Sequence, residues 1–245
     1  MKWLLVTGSI VGYLLMAGCR SSGVSEHRVL LNEDFSNLDA WHAEGLTNAV
    51  TLSRAGELRL ACEGSKQGSV GAMAFCTRDF PDCIAIEYDL LVENHNGLLI
   101  TFVAMRGVNG EDAIDGVPPR RGVFDDYVGD NSSTRSYHVS VCRYDDSGKH
   151  TGVSNWRRNP GLHLMASGPD LCTEVGRTYH VRITKRGPAC AVEVDGQLGS
   201  HFVDPQTLPG QIPTTGKIGF RAIGSKAVFR ISNLRVTKLG QTDEK

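Results

Sequence analysis

The chain has 245 residues, 26 of them basic and 27 acidic, for a formal net charge of −1 at pH 7, with 40% apolar and 22% charged residues. So even a balance does not favour a nucleic-acid partner, and the length and apolar share allow a sizeable core.

The first element in chain order is an export signal. Lys2 supplies a positive end, and Leu4, Leu5, Val6, Ile10, Val11, Leu14 and Leu15 supply an apolar stretch. Thr7, Gly8, Ser9 and Gly12 interrupt it, and it is short for a bilayer crossing. It ends in Leu15-Met16-Ala17-Gly18-Cys19, where two small residues before a cysteine suit the narrow cleavage site of a lipoprotein signal peptidase. The segment resembles a bacterial lipobox, with Met16 where Leu, Val or Ile is usual. Residues 1–18 are then a signal peptide and Cys19 a lipidated mature N-terminus, so the membrane is one expected partner. Residues 19–28 form the lipidated cysteine and its tether, and 240–245 a polar tail. The expected location is the cell envelope, lipid-anchored at the periplasmic or surface face of the outer membrane.

From residue 29 to 239 apolar and polar residues alternate with period two, and helical spacing is scarce. Strands are expected at Val29 to Phe35, Glu57 to Cys62, Val70 to Thr77, Cys83 to Val92, Leu98 to Met105, Tyr137 to Tyr144, Tyr179 to Lys185, Ala189 to Asp195, Lys217 to Ile223 and Val228 to Val236. Polar turns such as Asp195-Gly196-Gln197 separate them, which predicts an all-β sandwich in a single domain. Cysteines 62, 76, 83, 142, 172 and 190 are even in number, which allows disulfides in an exported chain. Cys76, Cys83, Cys142 and Cys190 lie in or beside strands and equally suit small buried apolar positions.

Two long irregular stretches, Gly107 to Arg135 and Asp145 to Asn159, break the rhythm and are rich in side chains with chemistry. Tyr127 lies in the first, and Asn155, Trp156, Arg157, Arg158 and Asn159 in the second. Aromatics amid amides and guanidinium groups suit a sugar, whose ring offers an apolar face for stacking and hydroxyls or carboxylates for hydrogen bonds.

Four segments occur in a recognisable order: Ser136-Tyr137-His138-Val139-Ser140, Ser154-Asn155-Trp156-Arg157-Arg158-Asn159-Pro160-Gly161-Leu162-His163-Leu164, Tyr179-His180-Val181-Arg182, and Gly216-Lys217-Ile218-Gly219-Phe220-Arg221. They resemble a bacterial family of unknown function whose members are concanavalin A-like jelly rolls found among polysaccharide-degradation genes. The resemblance covers roughly residues 29 to 239 and implies a β-sandwich of two antiparallel sheets with a polysaccharide or oligosaccharide as partner. The closing Ile218-Gly219-Phe220-Arg221 and Phe229-Arg230-Ile231-Ser232-Asn233-Leu234-Arg235-Val236 are shared more widely, including with 3-keto-disaccharide hydrolase domains, and choose no activity.

An acidic motif of the glucanase kind would have to sit at Glu87-Tyr88-Asp89. The next same-face position is Leu91, and Glu93 would lie about 20 Å along the strand from Glu87, against the roughly 5 to 9.5 Å that glycoside hydrolysis needs. β-Elimination at a uronic acid fits the remaining side chains better, since it asks for a neutral base and a cation or amide on the carboxylate. On the strand from Ser136, alternation places His138 and Tyr144 on one face and Arg143 on the other. The expected roles are His138 or His163 as base and Tyr144 as proton donor, with Arg157, Arg158, Asn155, Asn159, Trp156 and Tyr127 binding substrate. No Cys-x-x-Cys, His-Glu-x-x-His, phosphate loop or nucleophile elbow is present, so no cofactor is called for. A structural calcium at Asn32-Glu33-Asp34 stays open. A lyase or hydrolase acting on acidic polysaccharide and a non-catalytic glycan-binding lipoprotein are the two functional expectations.

Overall fold

The computed structural model describes residues 28–240, apart from 54 and 63–69. The signal segment, Cys19, the tether up to residue 27 and the tail from 241 lie outside the described residues. The strands are β1 (Val29–Glu33), β2 (Trp41–Gly45), β3 (Val50–Leu52), β4 (Leu58–Ala61), β5 (Ala72–Cys76), β6 (Ile84–Asn94), β7 (Gly97–Gly107), β8 (Thr134–Val141), β9 (Val153–Asn159), β10 (His163–Pro169), β11 (Thr178–Arg186), β12 (Ala189–Val194), β13 (Gln197–Val203), β14 (Lys217–Gly224) and β15 (Val228–Lys238). The one helix among the described residues is a single turn, α1 (Asp125–Val128).

These strands form two antiparallel sheets. One has eight strands in the order β13-β12-β11-β6-β15-β4-β3 with β1 added on β15, and the other has seven in the order β10-β9-β8-β7-β14-β5-β2. Every expected strand is present, and the jelly-roll sandwich is the fold. Its core is the row of inward side chains between the sheets, where Leu90, Val181, Phe229 and Ile231 of the larger sheet join Ala74, Val139, Trp156 and Phe220 of the smaller in one buried cluster. The Tyr88 hydroxyl and Thr101 Oγ1 meet across that core at 2.8 Å, which satisfies two polar groups that burial would otherwise penalise.

Four further strands, β2, β3, β10 and β13, and one strand inside an expected loop, β9, carry weak alternation. In β9 the inward positions are Ser154, Trp156 and Arg158, so only one apolar side chain marks the buried face. The six cysteines in the described sandwich are free thiols, five of them buried, and pack as small apolar side chains rather than as cross-links. Glu33 accepts from Trp41 Nε1 at 3.1 Å and from the Phe35 amide at 3.0 Å, and Asp34 accepts from the Ser36 amide at 2.9 Å. Among the described residues no group of three or more His, Cys, Asp or Glu side chains is placed to hold a metal ion. Glu87 and Asp89 sit half-buried on the outer face of the larger sheet, where Asp89 bonds His180 at 2.9 Å and Asn233 at 2.7 Å.

The stretch after β7 is the feature that shapes the site. It folds back over the outer face of the seven-stranded sheet and makes a second buried cluster there, with Ala113, Tyr127 and Val128 on Met73, Phe75, Ile100, Phe102 and Met105. A carboxylate holds it down: Arg120 donates to Glu44 through Nη2 at 2.6 Å and Nε at 3.0 Å, and the Tyr127 hydroxyl donates to the same group. The bidentate fork and the phenol together satisfy a buried charge that would be costly alone.

Candidate functional site

Strand register carries a row of side chains across the outer face of the smaller sheet, from Glu44 through Met73, Arg221, Ile100, Ser140 and Asn155 to Ser167. The adjacent row runs from His42 through Phe75, Gly219, Phe102, His138 and Arg157 to Leu164. Gly219 is needed there because a Cβ would stand 2.2 Å from the Phe75 ring. The covering segment leaves His42, at the end of the second row, exposed; it buries both rows at β5, over Met73 and Phe75, and the first row also at Glu44. Beyond it an open hollow of about 250 Å³ remains, floored by Ile100, His138, Ser140 and Arg221, with Phe124 and Leu162 on the covered side and Arg143, Asn155 and Arg157 among its other walls. That is roughly eight water volumes, room for one ring-sized ligand.

Three guanidinium groups meet in this hollow. Arg157 is anchored through Nη1 on the Leu162 carbonyl at 2.7 Å, and Arg143 through Nη1 on the Val153 carbonyl at 2.8 Å. With its amide turned over, Asn155 accepts through its oxygen from Arg143 Nη1 at 2.9 Å and donates through its nitrogen to Ser167 Oγ at 2.8 Å, and in that orientation it positions Arg143. The Arg221 guanidinium lies 4.9 Å over the Phe124 ring. Burial lowers the Arg221 pKa to about 10, which leaves it cationic at neutral pH, and it also holds Arg143 and Arg157 below the usual guanidinium value. Among the described residues no carboxylate lines the hollow.

His138 is buried at 2% exposure beside these cations. Burial first, then the charges of Arg157 and Arg221, push its pKa down to about 3, so the ring is neutral at pH 7. Its Nδ1 faces Asn159 Nδ2 at 2.9 Å, and that same amide nitrogen donates to Ser136 Oγ at 2.9 Å. With the amide in this orientation the imidazole carries its proton on Nε2, the nitrogen left for the hollow, and presents a donor there. With the amide turned over, Asn159 Oδ1 would accept from Nδ1 and Nε2 would be a base.

The family model described as "Domain of unknown function (DUF1961)" matches residues 30–236. The chain belongs to the DUF1961 family. The uncharacterized protein YesU of Bacillus subtilis (strain 168) is 28% identical over 162 residues, which span 64% of this chain and 73% of that protein. A crystal structure of a Bacillus subtilis protein of unknown function with a galectin-like fold superposes with a TM-score of 0.74 at 22% identity, covering 87% of this chain and 98% of that one. The carbohydrate binding module CBM66 from Bacillus subtilis has the same kind of fold, with a TM-score of 0.52 at 12% identity over 80% of this chain and 93% of the module. These likenesses establish the DUF1961 jelly roll; every residue of the hollow falls inside the matched region.

The structure of this DUF1961 chain sorts the expected site residues. His138, Asn155 and Arg157 meet in the hollow, and Asn159 stands behind His138. The rest are corrected by where the backbone carries them. Trp156 is fully buried between the sheets, 5.6 Å from the Phe202 ring, and cannot stack on a ligand. Arg158 also points inward, pairing with Asp204 at 3.1 Å and donating to the Pro209 and Gly210 carbonyls. Tyr127 is buried in the covering segment with its hydroxyl bound to Glu44. Tyr144 is no proton donor for this hollow, because its hydroxyl donates to the Thr173 carbonyl at 2.6 Å and its ring packs 4.7 Å from that of His95. His163 lines a different hollow with Arg135, Asp130 and Gln211, on the far side of the turn at 160–161.

Two cations of the hollow, Arg143 and Arg221, are not among the site residues expected from the sequence, each for a reason. Strict alternation from Ser136 puts Arg143 on the face opposite His138, but Cys142 takes a φ of 53° with its amide on Asp170 Oδ1 at 3.0 Å. That turn shifts the phase by one residue, so Cys142 and Tyr144 go to the core and Arg143 to the hollow. Arg221 alternates with Ile218, Phe220 and Ala222, all in the core, and an arginine inside so buried a strand was the available signal.

Proposed function

We propose that this DUF1961 protein recognises an acidic saccharide, with the carboxylate of a uronate-type sugar gripped by Arg157 and Arg143. The observation that carries the reading is the convergence of these guanidinium groups, Arg221 and a neutral His138 in one hollow whose described lining has no carboxylate. Partly buried cations favour an anionic ligand, and Arg presents a fork that matches a carboxylate. Leu98, Ile100, Leu162 and Ile223 supply an aliphatic wall for the C–H face of the ring, in place of the aromatic platform that Trp156 does not offer. The fold shared with a carbohydrate binding module supports this reading.

A second reading, β-elimination, is favoured by one observation: His138 stands next to Arg157 in register on the adjacent strand, so an imidazole and a carboxylate-binding cation share the hollow. Nε2 would take the C5 proton, the C–H electron pair would form the C4–C5 double bond as the C4–O bond breaks, and the leaving C4 oxygen would take its proton from water. This needs the Asn159 amide in its turned orientation. Hydrolysis finds no pair of carboxyl groups in the described lining to act as acid and base. Export and anchoring through an acylated Cys19 complete the proposal and rest on the pattern of residues 1–19.

A panel of acidic and neutral polysaccharides and their oligosaccharides decides between these readings. Selective retention of the acidic members without product supports recognition, new absorbance at 235 nm supports elimination, and preference for neutral members or release of reducing ends alone overturns both.

A further inference from the structure

Whether the ligand lies across the sheet or ends in the hollow depends on what stands at each end of the two side-chain rows. At the β2 and β5 end the way is shut. Met73 and Phe75 are buried beneath Tyr127, whose ring stacks 5.8 Å from that of Phe75 at 19°. Glu44, at the end of its row, is clasped by Arg120 and Tyr127, with side-chain exposures of 7% for Glu44 and 4% for Arg120. Phe124 and Leu162 continue this wall to the rim of the hollow and pack against the same cluster. At the opposite end the rows finish on the outermost strand, where Leu164 is 57% exposed and Ser167 is also exposed. A chain laid across all seven strands would have to displace the ion pair, the phenol and the apolar cluster together.

We infer that the hollow takes the terminal sugar of an acidic chain, with the rest of the chain leaving over β9 and β10 past Ser167 and Leu164. The inference rests on the acidic-saccharide reading and adds to it that interior residues of a polymer are not bound. The covering segment thus acts as a stop, and the recognised unit is a chain end or a short oligosaccharide.

The test uses linear oligouronates of two to twelve residues, prepared from a galacturonate and a mannuronate polymer, titrated calorimetrically into the folded protein. A blocked track gives one protein per chain at every length, and a molar affinity that changes no more than about threefold beyond the trimer. At equal mass, capacity then falls in inverse proportion to chain length. A stoichiometry that climbs with length, several proteins on one dodecamer, overturns the terminal inference while leaving the acidic-saccharide reading intact. No binding of either series at any length overturns that reading, and the inference with it.

Discussion

His138 and Arg157 are cross-strand neighbours, and burial lowers the pKa of both, which makes the imidazole neutral at pH 7 while the guanidinium, starting from a far higher value, stays charged. The consequence for pH is specific. The ordinary His pKa is about 6.5 and that of His138 in the fold is about 3, so between those values the unfolded chain binds a proton that the folded one does not. Stability from this group is therefore complete above about pH 6.5 and is lost as the pH falls toward 3. Replacing His138 by Gln should flatten the acid limb of a stability curve by up to about 1.4 kcal/mol per pH unit, read from urea midpoints between pH 7 and pH 4. An unchanged slope would show that His138 protonates freely in the folded state. At Arg157 the prediction concerns ligand: Arg157→Ala should weaken acidic saccharides by about 1.5–3 kcal/mol and barely alter neutral ones, measured by calorimetry on variants shown to be folded. Equal losses for both classes would mean that Arg157 shapes the hollow without meeting the carboxylate. The types of these two residues, and the place of Arg157 between Asn155 and Asn159, were legible in the sequence. The cations at Arg143 and Arg221 were not, because a reversal of phase at Cys142 and a strand otherwise devoted to the core hid them.

Among elements, the segment between β7 and β8 and the strand β9 decide the site. Their sequences differ in what they disclose. The segment was recognisable as a long functional stretch, but its docking on the sheet depends on Glu44, which is 76 residues from Arg120 in the chain and 83 from Tyr127. Glu44→Ala should leave the buried Arg120 without its carboxylate, at a cost of about 3–5 kcal/mol. Because the cluster beneath the segment is separate from the inter-sheet core, that loss should appear locally. Amide hydrogen exchange is expected to quicken across 112–132 while β6 and β15 stay protected. Uniform acceleration through both sheets would show instead that the covering segment and sandwich unfold as one unit. In β9, the sequence Asn155-Trp156-Arg157-Arg158-Asn159 reads as one polar cluster, and strand geometry divides it between two faces of a sheet. A period of two was the rule that applied, and the inward-pointing Arg158 concealed it by finding Asp204 in the core.

At the scale of the whole molecule, the described part is a jelly roll in which no helix is long and apolar enough to cross a membrane. The proposed anchoring has its own test: Cys19→Ser should abolish metabolic labelling with a fatty-acid probe, and undiminished labelling would refute the lipoprotein proposal. The sequence alone determined the sandwich, because alternation over ten separate runs is a local property that backbone geometry imposes wherever one face is buried and the other is not. It also supplied His138, Asn155 and Arg157 as candidate site side chains. What only the tertiary structure decided is which of them share a hollow, since that depends on register between strands far apart in the chain. It decided as well where the hollow stops, because Glu44, Arg120 and Tyr127 become a wall only when two distant segments meet and each buried charge finds its partner.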